Sequence, residues 1–151
     1  MTIISDRLLA LITRHEGEIL HTYKCPAGKL TIGVGHNLEA NPIAGLTEGC
    51  TISHERATEI LLADVSACVR GLQKQLPWIG RLDETRQAVL IDMCFNLGLW
   101  GLLKFKNTLA AVESGDYARA SSLMLQSLWA KQVGRRAHRL SAMMRSGEWP
   151  A

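Results

Sequence analysis

The tightest constraint in this chain lies between residues 16 and 36, where a helix has to stop and a short strand has to begin. Apolar residues at Leu8, Leu9, Leu11 and Ile12 predict an amphipathic helix over about Ser5 to His15, with Ser5 or Asp6 at its start. Glu16-Gly17 ends it, because glycine readily adopts the backbone conformation that stops a helix. Turn signals follow at Pro26-Ala27-Gly28, and then comes the run Thr31-Ile32-Gly33-Val34-Gly35-His36. Read as a strand, that run alternates its faces. Thr31, Gly33 and Gly35 share one face, and Ile32, Val34 and His36 the other. The first face carries one hydroxyl and bare backbone, so a bulky chain can lie close against it. The second face belongs against protein.

Eight residues separate Glu16 from Cys25, and five separate Cys25 from Thr31. A carboxylic acid, a polarisable thiol and a hydroxyl brought together by one helix end and one hairpin suit the cleavage of a glycosidic bond. The negative end of the helix dipole disfavours a carboxylate charge at Glu16, which suits a proton donor. The spacing, Tyr23 two residues before Cys25, and the Thr-Ile-Gly-x-Gly-His run resemble the phage-type lysozymes. These are the endolysins of glycoside hydrolase family 24, related to those of the T-even and lambdoid phages. Their signature is Glu, eight residues, Asp or Cys, five residues, Thr.

The rest of the chain reads as helix. Ser53 before His54-Glu55-Arg56 is an N-cap followed by an acidic first turn. The helix it opens extends to about Gln75, with an apolar stripe through Ala57, Ile60, Leu61, Cys68 and Leu72. Asp64 falls in that stripe and needs a partner if buried. His36, on the protein-facing side of the strand, is the candidate. Pro77 breaks the pattern and Asp83 caps the next helix, which carries Ala88, Leu90, Ile91, Cys94 and Leu97 and is ended by Gly98 and Gly101. Few charges follow Arg86, so this is the buried helix of the second half. Shorter helices are expected over Asn107–Glu113, Asp116–Trp129 and Arg135–Arg145.

The resemblance extends to Met93-Cys94-Phe95-Asn96-Leu97-Gly98, to Phe105-Lys106-Asn107-Thr108-Leu109, and to Ser127-x-Trp129 through Arg136-Ala137-x-Arg139 and Gly147-Glu148-Trp149. It implies an α+β, mainly α, two-lobed lysozyme-like fold. A small N-terminal lobe with a β-hairpin or sheet is joined by a long helix to a helical C-terminal lobe. The whole of 1–151 is then a single lysozyme-like domain. The β-containing lobe covers about 14–55, the connecting helix about 53–75, and the helical lobe about 76–151 with helix 5–15 packed on it. The resemblance further implies a His36–Asp64 pair between sheet and connecting helix, Arg136 reaching Glu16, and Gly35, Phe95 and Thr108 facing the sugar. Two departures stand out. Position 25 is cysteine where T-even members have aspartate, and the connector from His36 to Ser53 is shorter than theirs.

Composition narrows the classes. With 151 residues and 47% apolar content the chain can build a real core. Charges interrupt every apolar stretch, so no membrane span and no stable membrane insertion are expected. Met1 to Asp6 lacks the pattern of a signal peptide, which predicts accumulation in the cytoplasm of the producing cell. The cysteines at 25, 50, 68 and 94 show no paired close spacing, so neither a disulfide scaffold nor a zinc ribbon is indicated. Cys68 and Cys94 read as core thiols. Cys50 and His54 sit four apart but lack a second ligand pair, so no metal and no other cofactor is expected. A net charge of +3 fits a polyanionic partner without choosing one.

The expected activity is hydrolysis of the β-1,4 bond between N-acetylmuramic acid and N-acetylglucosamine. Glu16 donates the proton, Thr31 holds the attacking water, and Cys25 supports that water or acts as base or nucleophile. The catalytic set is thus Glu16, Cys25 and Thr31; Gly35, Phe95 and Thr108 bind substrate; His36, Asp64 and Arg136 support. The partners are peptidoglycan glycan strands, with dependence on a holin to open the membrane of an infected bacterium, and the protein acts as a monomer. A lytic transglycosylase on the same bond, which forms a 1,6-anhydro end, is the alternative. A more remote one is a helical nucleic-acid or membrane binder using Arg135, Arg136, Arg139 and Arg145, although Ala137, Leu140 and Met144 make an ordinary core stripe there. A Cys25–His36 peptidase fails, because strand alternation turns His36 away from the Thr31 face.

Overall fold

The computed structural model describes residues 4–150. Ser5 opens the first helix by accepting a hydrogen bond from the Leu8 N–H at 3.1 Å, and α1 covers Asp6–Glu16. Gly17, at φ 77°, returns its N–H to the Thr13 carbonyl at 2.8 Å and ends the helix, leaving Glu16 as its last residue. Leu8, Leu11 and Ile12 are the buried face.

Three antiparallel strands follow in the order β1 (Ile19–Lys24), β2 (Leu30–Gly33) and β3 (His36–Asn37). Tyr23 pairs with Thr31, and Thr31 in turn with Asn37. The expected single strand through His36 is not formed. Gly33 and Gly35 take φ values of 66° and 64°, a left-handed backbone open to glycine, and the chain doubles back between them. His36 therefore lies opposite Ile32 on the neighbouring strand instead of four residues along the same one. The connector returns to β1, where Thr22 N–H bonds Cys50 O at 3.1 Å and Ile52 N–H bonds Leu20 O at 2.8 Å.

Ser53 caps α2 (His54–Gln75) through the Arg56 N–H at 3.0 Å. Its buried stripe is Ala57, Ile60, Leu61, Val65, Val69 and Leu72. Pro77 starts a 3-10 helix, Pro77–Arg81, and Asp83 caps α3 (Glu84–Leu97) through the Arg86 N–H at 3.1 Å. Gly98 ends α3 at φ 77°. Gly101 does not end a helix as expected but lies inside α4 (Leu99–Leu103). Then come α5 (Lys106–Glu113), α6 (Tyr117–Gln126), α7 (Leu128–Val133) and α8 (Arg135–Ser146).

The expected helix over Asp116–Trp129 is two helices. Ser127 takes an extended conformation, bonds the Met124 carbonyl at 2.7 Å and accepts the Ala130 N–H at 3.2 Å. A serine hydroxyl competes with the helical ladder in this way, closing one helix and opening the next. Apolar periodicity alone does not register that break.

Ile4–Ala67 forms one compact unit and the chain from Cys68 onward another, with α2 running across the boundary. In the helical unit α6 packs on α8, with Ala120, Met124, Ala137, Leu140 and Met144 fully buried. The Ser121 and Ser141 hydroxyls meet at 2.6 Å within that contact, which satisfies two buried polar groups at once. Arg86 ties the end of α8 by donating to Met144 O at 2.7 Å and Arg145 O at 3.0 Å, while its guanidinium lies 3.6 Å over the Tyr117 ring. Among the described residues no helix is long and apolar enough to cross a membrane.

Because Ser127 caps the helix that carries Trp129, Ser127→Ala should lower stability by about 1 kcal/mol. Urea melts of the two proteins check this; a loss within a few tenths would show the cap to be idle.

Candidate active site

In the unit Ile4–Ala67, the end of α1 and the two hairpins gather the expected acid, thiol and hydroxyl. Glu16 leans over the β2–β3 turn. A methyl group placed on Gly35 would meet Glu16 Oε1 at 2.7 Å and its carboxyl carbon at 3.2 Å. The carboxyl group thus rests on bare backbone that only glycine leaves open, and Gly35 has a positive φ as well. The sequence placed Gly35 beside Thr31 on a strand face. The structure places it in the turn, under the acid.

Cys25 stands at the start of the β1–β2 hairpin, partly exposed. Gly28, at φ 79°, closes the turn with its N–H 2.7 Å from Cys25 O, and Cys25 N–H reaches Lys29 O at 3.0 Å. The folded-over backbone aims donors at the sulfur. The Lys29 N–H leads, and the Ala27 N–H, the Thr31 hydroxyl and the residue's own N–H add to it. Together they hold the thiol below its ordinary range against the opposing effect of burial.

Thr31 is buried, and its hydroxyl lies 2.9 Å from Lys29 O as well as within reach of the Cys25 sulfur. Tyr23, paired across the sheet with Thr31, has its phenol pushed above its ordinary range, first by burial and then by the negative charges of Glu16 and Cys25. Glu16, Tyr23, Cys25 and Thr31 are therefore one electrostatic neighbourhood. The flanking tyrosine entered the sequence reading only as part of a motif.

His36 and Asp64 form the expected pair. His36 Nδ1 is 2.6 Å from Asp64 Oδ2, and Nε2 is 2.7 Å from the Asn41 carbonyl. Both partners are acceptors, so the doubly protonated ring satisfies both contacts and a neutral ring only one. The Asp64 hydrogen bond accordingly raises the His36 pKa, with help from the Asn41 carbonyl and against desolvation. The ring clamps β3, the connector and α2 together. Glu39 of the same connector accepts the Leu30 N–H at 2.5 Å and secures the start of β2. Neither backbone contact has a sequence signature, since each depends on how the connector folds back. His54, raised as a metal candidate with Cys50, bonds Glu18 at 2.7 Å instead.

In the helical unit, Arg136 is buried and its Nε donates to Asp92 Oδ1 at 2.9 Å, with Asp92 fully buried on α3. Asp92 was not singled out in the sequence, although a carboxylate inside the run Val89-Leu90-Ile91-Asp92-Met93 is the signal that could have found it. Arg136 is also withdrawn from the basic helix side on which a nucleic-acid reading would rely. Thr108 lies on the wall of an open groove of about 580 Å³ with Phe105, Asn107, Ser127 and Trp129. Trp129 donates to Asn96 Oδ1 at 2.7 Å and meets Phe105 edge to face at 6.1 Å. Phe95 is half-buried at the end of α3 and does not line that groove.

The sequence profile described as phage lysozyme matches residues 13–146. A probable T4-type lysozyme of Dictyostelium discoideum is 28% identical, over 87% of this chain and 89% of its own length. An endolysin of Acyrthosiphon pisum secondary endosymbiont phage 1 is 30% identical, over 88% of this chain and 85% of its own. The pre-baseplate central spike protein of Enterobacteria phage T4 is 28% identical over 91% of this chain, which spans only 27% of that longer protein.

Two substitutions test the arrangement in the first unit. The stabilisation from a histidine with a raised pKa is complete below its unfolded value near 6.5 and fades as pH climbs through the raised folded value. Asp64→Asn should therefore cost most in mildly acidic to neutral solution and progressively less in alkali. Thermal melts over a pH series decide it, and a constant loss across the series would contradict the pair. Gly35→Ala should lower both stability, through the left-handed backbone an L-residue resists, and activity, because the new methyl displaces the Glu16 carboxyl. Activity within two-fold of wild type would show that the carboxyl does not need that seat.

Proposed function

The chain belongs to the phage lysozyme family and is a glycosidase of the lysozyme type. From that premise we propose that it hydrolyses the β-1,4 bond between N-acetylmuramic acid and N-acetylglucosamine in peptidoglycan glycan strands, as an endolysin. The observation that carries this reading is the seating of Glu16 over Gly35, in one neighbourhood with Cys25 and Thr31.

Glu16 protonates the glycosidic oxygen as the bond to the anomeric carbon lengthens. Cys25, held toward the thiolate by the turn, accepts a proton from a water molecule. Thr31 orients the sulfur and presents a hydroxyl lone pair to the same water. The water adds to the anomeric carbon and the configuration inverts. No second carboxylate belongs to this set, and the thiolate takes the place such a base would have. Gly35, Phe95 and Thr108 contact the sugar, while His36, Asp64 and Arg136 support. The enzyme acts as a monomer made in the cytoplasm of an infected bacterium, depends on a holin-type opening to reach the wall, and uses no nucleic acid and no cofactor.

Glu16→Gln should lower lysis of outer-membrane-permeabilised Gram-negative cells by about 10²-fold or more while leaving the melting curve unchanged. Lysis within a few-fold of wild type would remove Glu16 from the acid role. The anomer released first, followed by NMR, tests the role of Cys25. The expected product is the α-anomer, and Cys25→Asp should still yield it. A β-anomer would mean a covalent thioglycosyl route, and a 1,6-anhydro end would mean transglycosylation.

A further inference from the structure

Leu128 and Trp100 are the most exposed large apolar side chains among the described residues, at 69% and 67%. Both belong to one place in the helical unit. Leu128 lines the open groove described above, together with Lys104 and Lys106. Trp100 precedes Lys104 by four residues, across one turn of α4, so the indole and the Lys104 ammonium leave the same side of that helix. Lys131 follows Leu128 by three residues on α7 and repeats the arrangement. The three lysines are exposed, and none has a carboxylate partner among the described residues. No aspartate or glutamate lines the groove. Exposed apolar side chains scattered singly need no explanation. Here a large apolar group stands beside an unneutralised cation twice at the lip of one groove.

We propose that this lip is a contact surface for an anionic phospholipid bilayer, on which the protein lies without crossing it. Trp100 and Leu128 enter the boundary between headgroups and acyl chains, which accommodates both the apolar ring and the polar N–H of an indole. Lys104, Lys106 and Lys131 keep their ammonium groups at the lipid phosphates, while their methylene stems follow the apolar side chains inward. Two other kinds of partner fit this chemistry less well. The core of a protein interface is depleted in lysine, whereas here a lysine stands beside each apolar group. Nucleic acid matches the charge and can stack on Trp100, but it gives Leu128 nothing apolar to bury against. Thr108 is only 4% exposed in the groove wall, so a flat surface meets the lip and not that residue. Among the described residues no helix is long and apolar enough to cross a membrane, so the contact is peripheral and reversible. It does not rest on the wall-cleaving reading.

The full-length protein is mixed with vesicles of phosphatidylcholine, alone or with an equal part of phosphatidylglycerol, in about 0.1 M salt and sedimented. It should pellet with the anionic vesicles and stay in solution with the neutral ones. Lipids brominated in their acyl chains should quench its tryptophan emission, and Trp100→Phe should remove most of that quenching. Lys104→Glu combined with Lys106→Glu should weaken binding about tenfold or more. Trp100→Ser and Leu128→Ser should each weaken it several-fold. All four side chains are exposed, so the variants should keep the wild-type melting curve, measured alongside. No pelleting with anionic vesicles would overturn the proposal. So would binding that Trp100→Ser and Leu128→Ser leave intact, because that is adsorption by charge alone. Pelleting and quenching of the wild-type chain are read first, so a poorly folding variant cannot mask a negative result. The vesicles contain no glycan, so failure here leaves the lysozyme reading intact, and failure of that reading leaves the lipid contact standing.

Discussion

The contact between the Glu16 carboxyl and the bare backbone of Gly35 governs the first unit. It requires a helix that ends at residue 16, a hairpin that turns back at residue 35, and no side chain between them. Every surrounding feature serves one of those three requirements. Gly17 stops α1, and Gly33 and Gly35 bend the strand into β2 and β3. The clamp of His36 on Asp64 and on the Asn41 carbonyl then keeps the bent strand against α2. An alanine at either of those two strand glycines would demand a backbone conformation costly for an L-residue.

Two enclosed ion pairs do different things. His36 with Asp64 joins three backbone segments, and Asp64 keeps some contact with water at 26% side-chain exposure. The raised His36 pKa ties that clamp to pH. Asp92 with Arg136 is sealed, at 0% and 8%. A sealed pair repays little of its desolvation cost, but losing either member leaves a charge in an apolar interior. Its use is to fix direction: the guanidinium points where the carboxylate lets it.

Under the mechanism we propose, cysteine at position 25 changes the problem the enzyme solves. A carboxylate is ionised at neutral pH without help, whereas a thiol with a reference pKa of about 8.5 is not. The β1–β2 turn supplies that help with backbone N–H groups, which cannot be lost by substitution except through a change in turn geometry. The same hairpin that positions the sulfur thus also lowers its pKa, with the Thr31 hydroxyl among the contributing donors.

Much of this was legible in the residues alone. The His36–Asp64 pairing, 28 residues apart, was suggested by an apolar stripe and by the family resemblance, while the spacing of Glu16, Cys25 and Thr31, the caps at Ser5, Ser53 and Asp83 and the stop at Gly98 follow from local chemistry. Short-range signals are readable because their partners lie within a few residues along the chain. The sequence could not show that the Thr31 strand breaks at its glycines, that Ser127 divides a helix, or that Asp92 receives Arg136. In each case two conformations are locally acceptable and distant packing selects one. Glycine permits both an extended strand and a left-handed turn, and only Glu16 and α2 closing on the hairpin make the turn the better solution. Serine permits both helix continuation and capping, and Trp129, anchored on Asn96 and Phe105, favours the cap. The chemical inventory of the site was thus written in the order of residues, while its seating was decided by tertiary contacts, because the free energy that distinguishes those alternatives resides in groups remote in the chain.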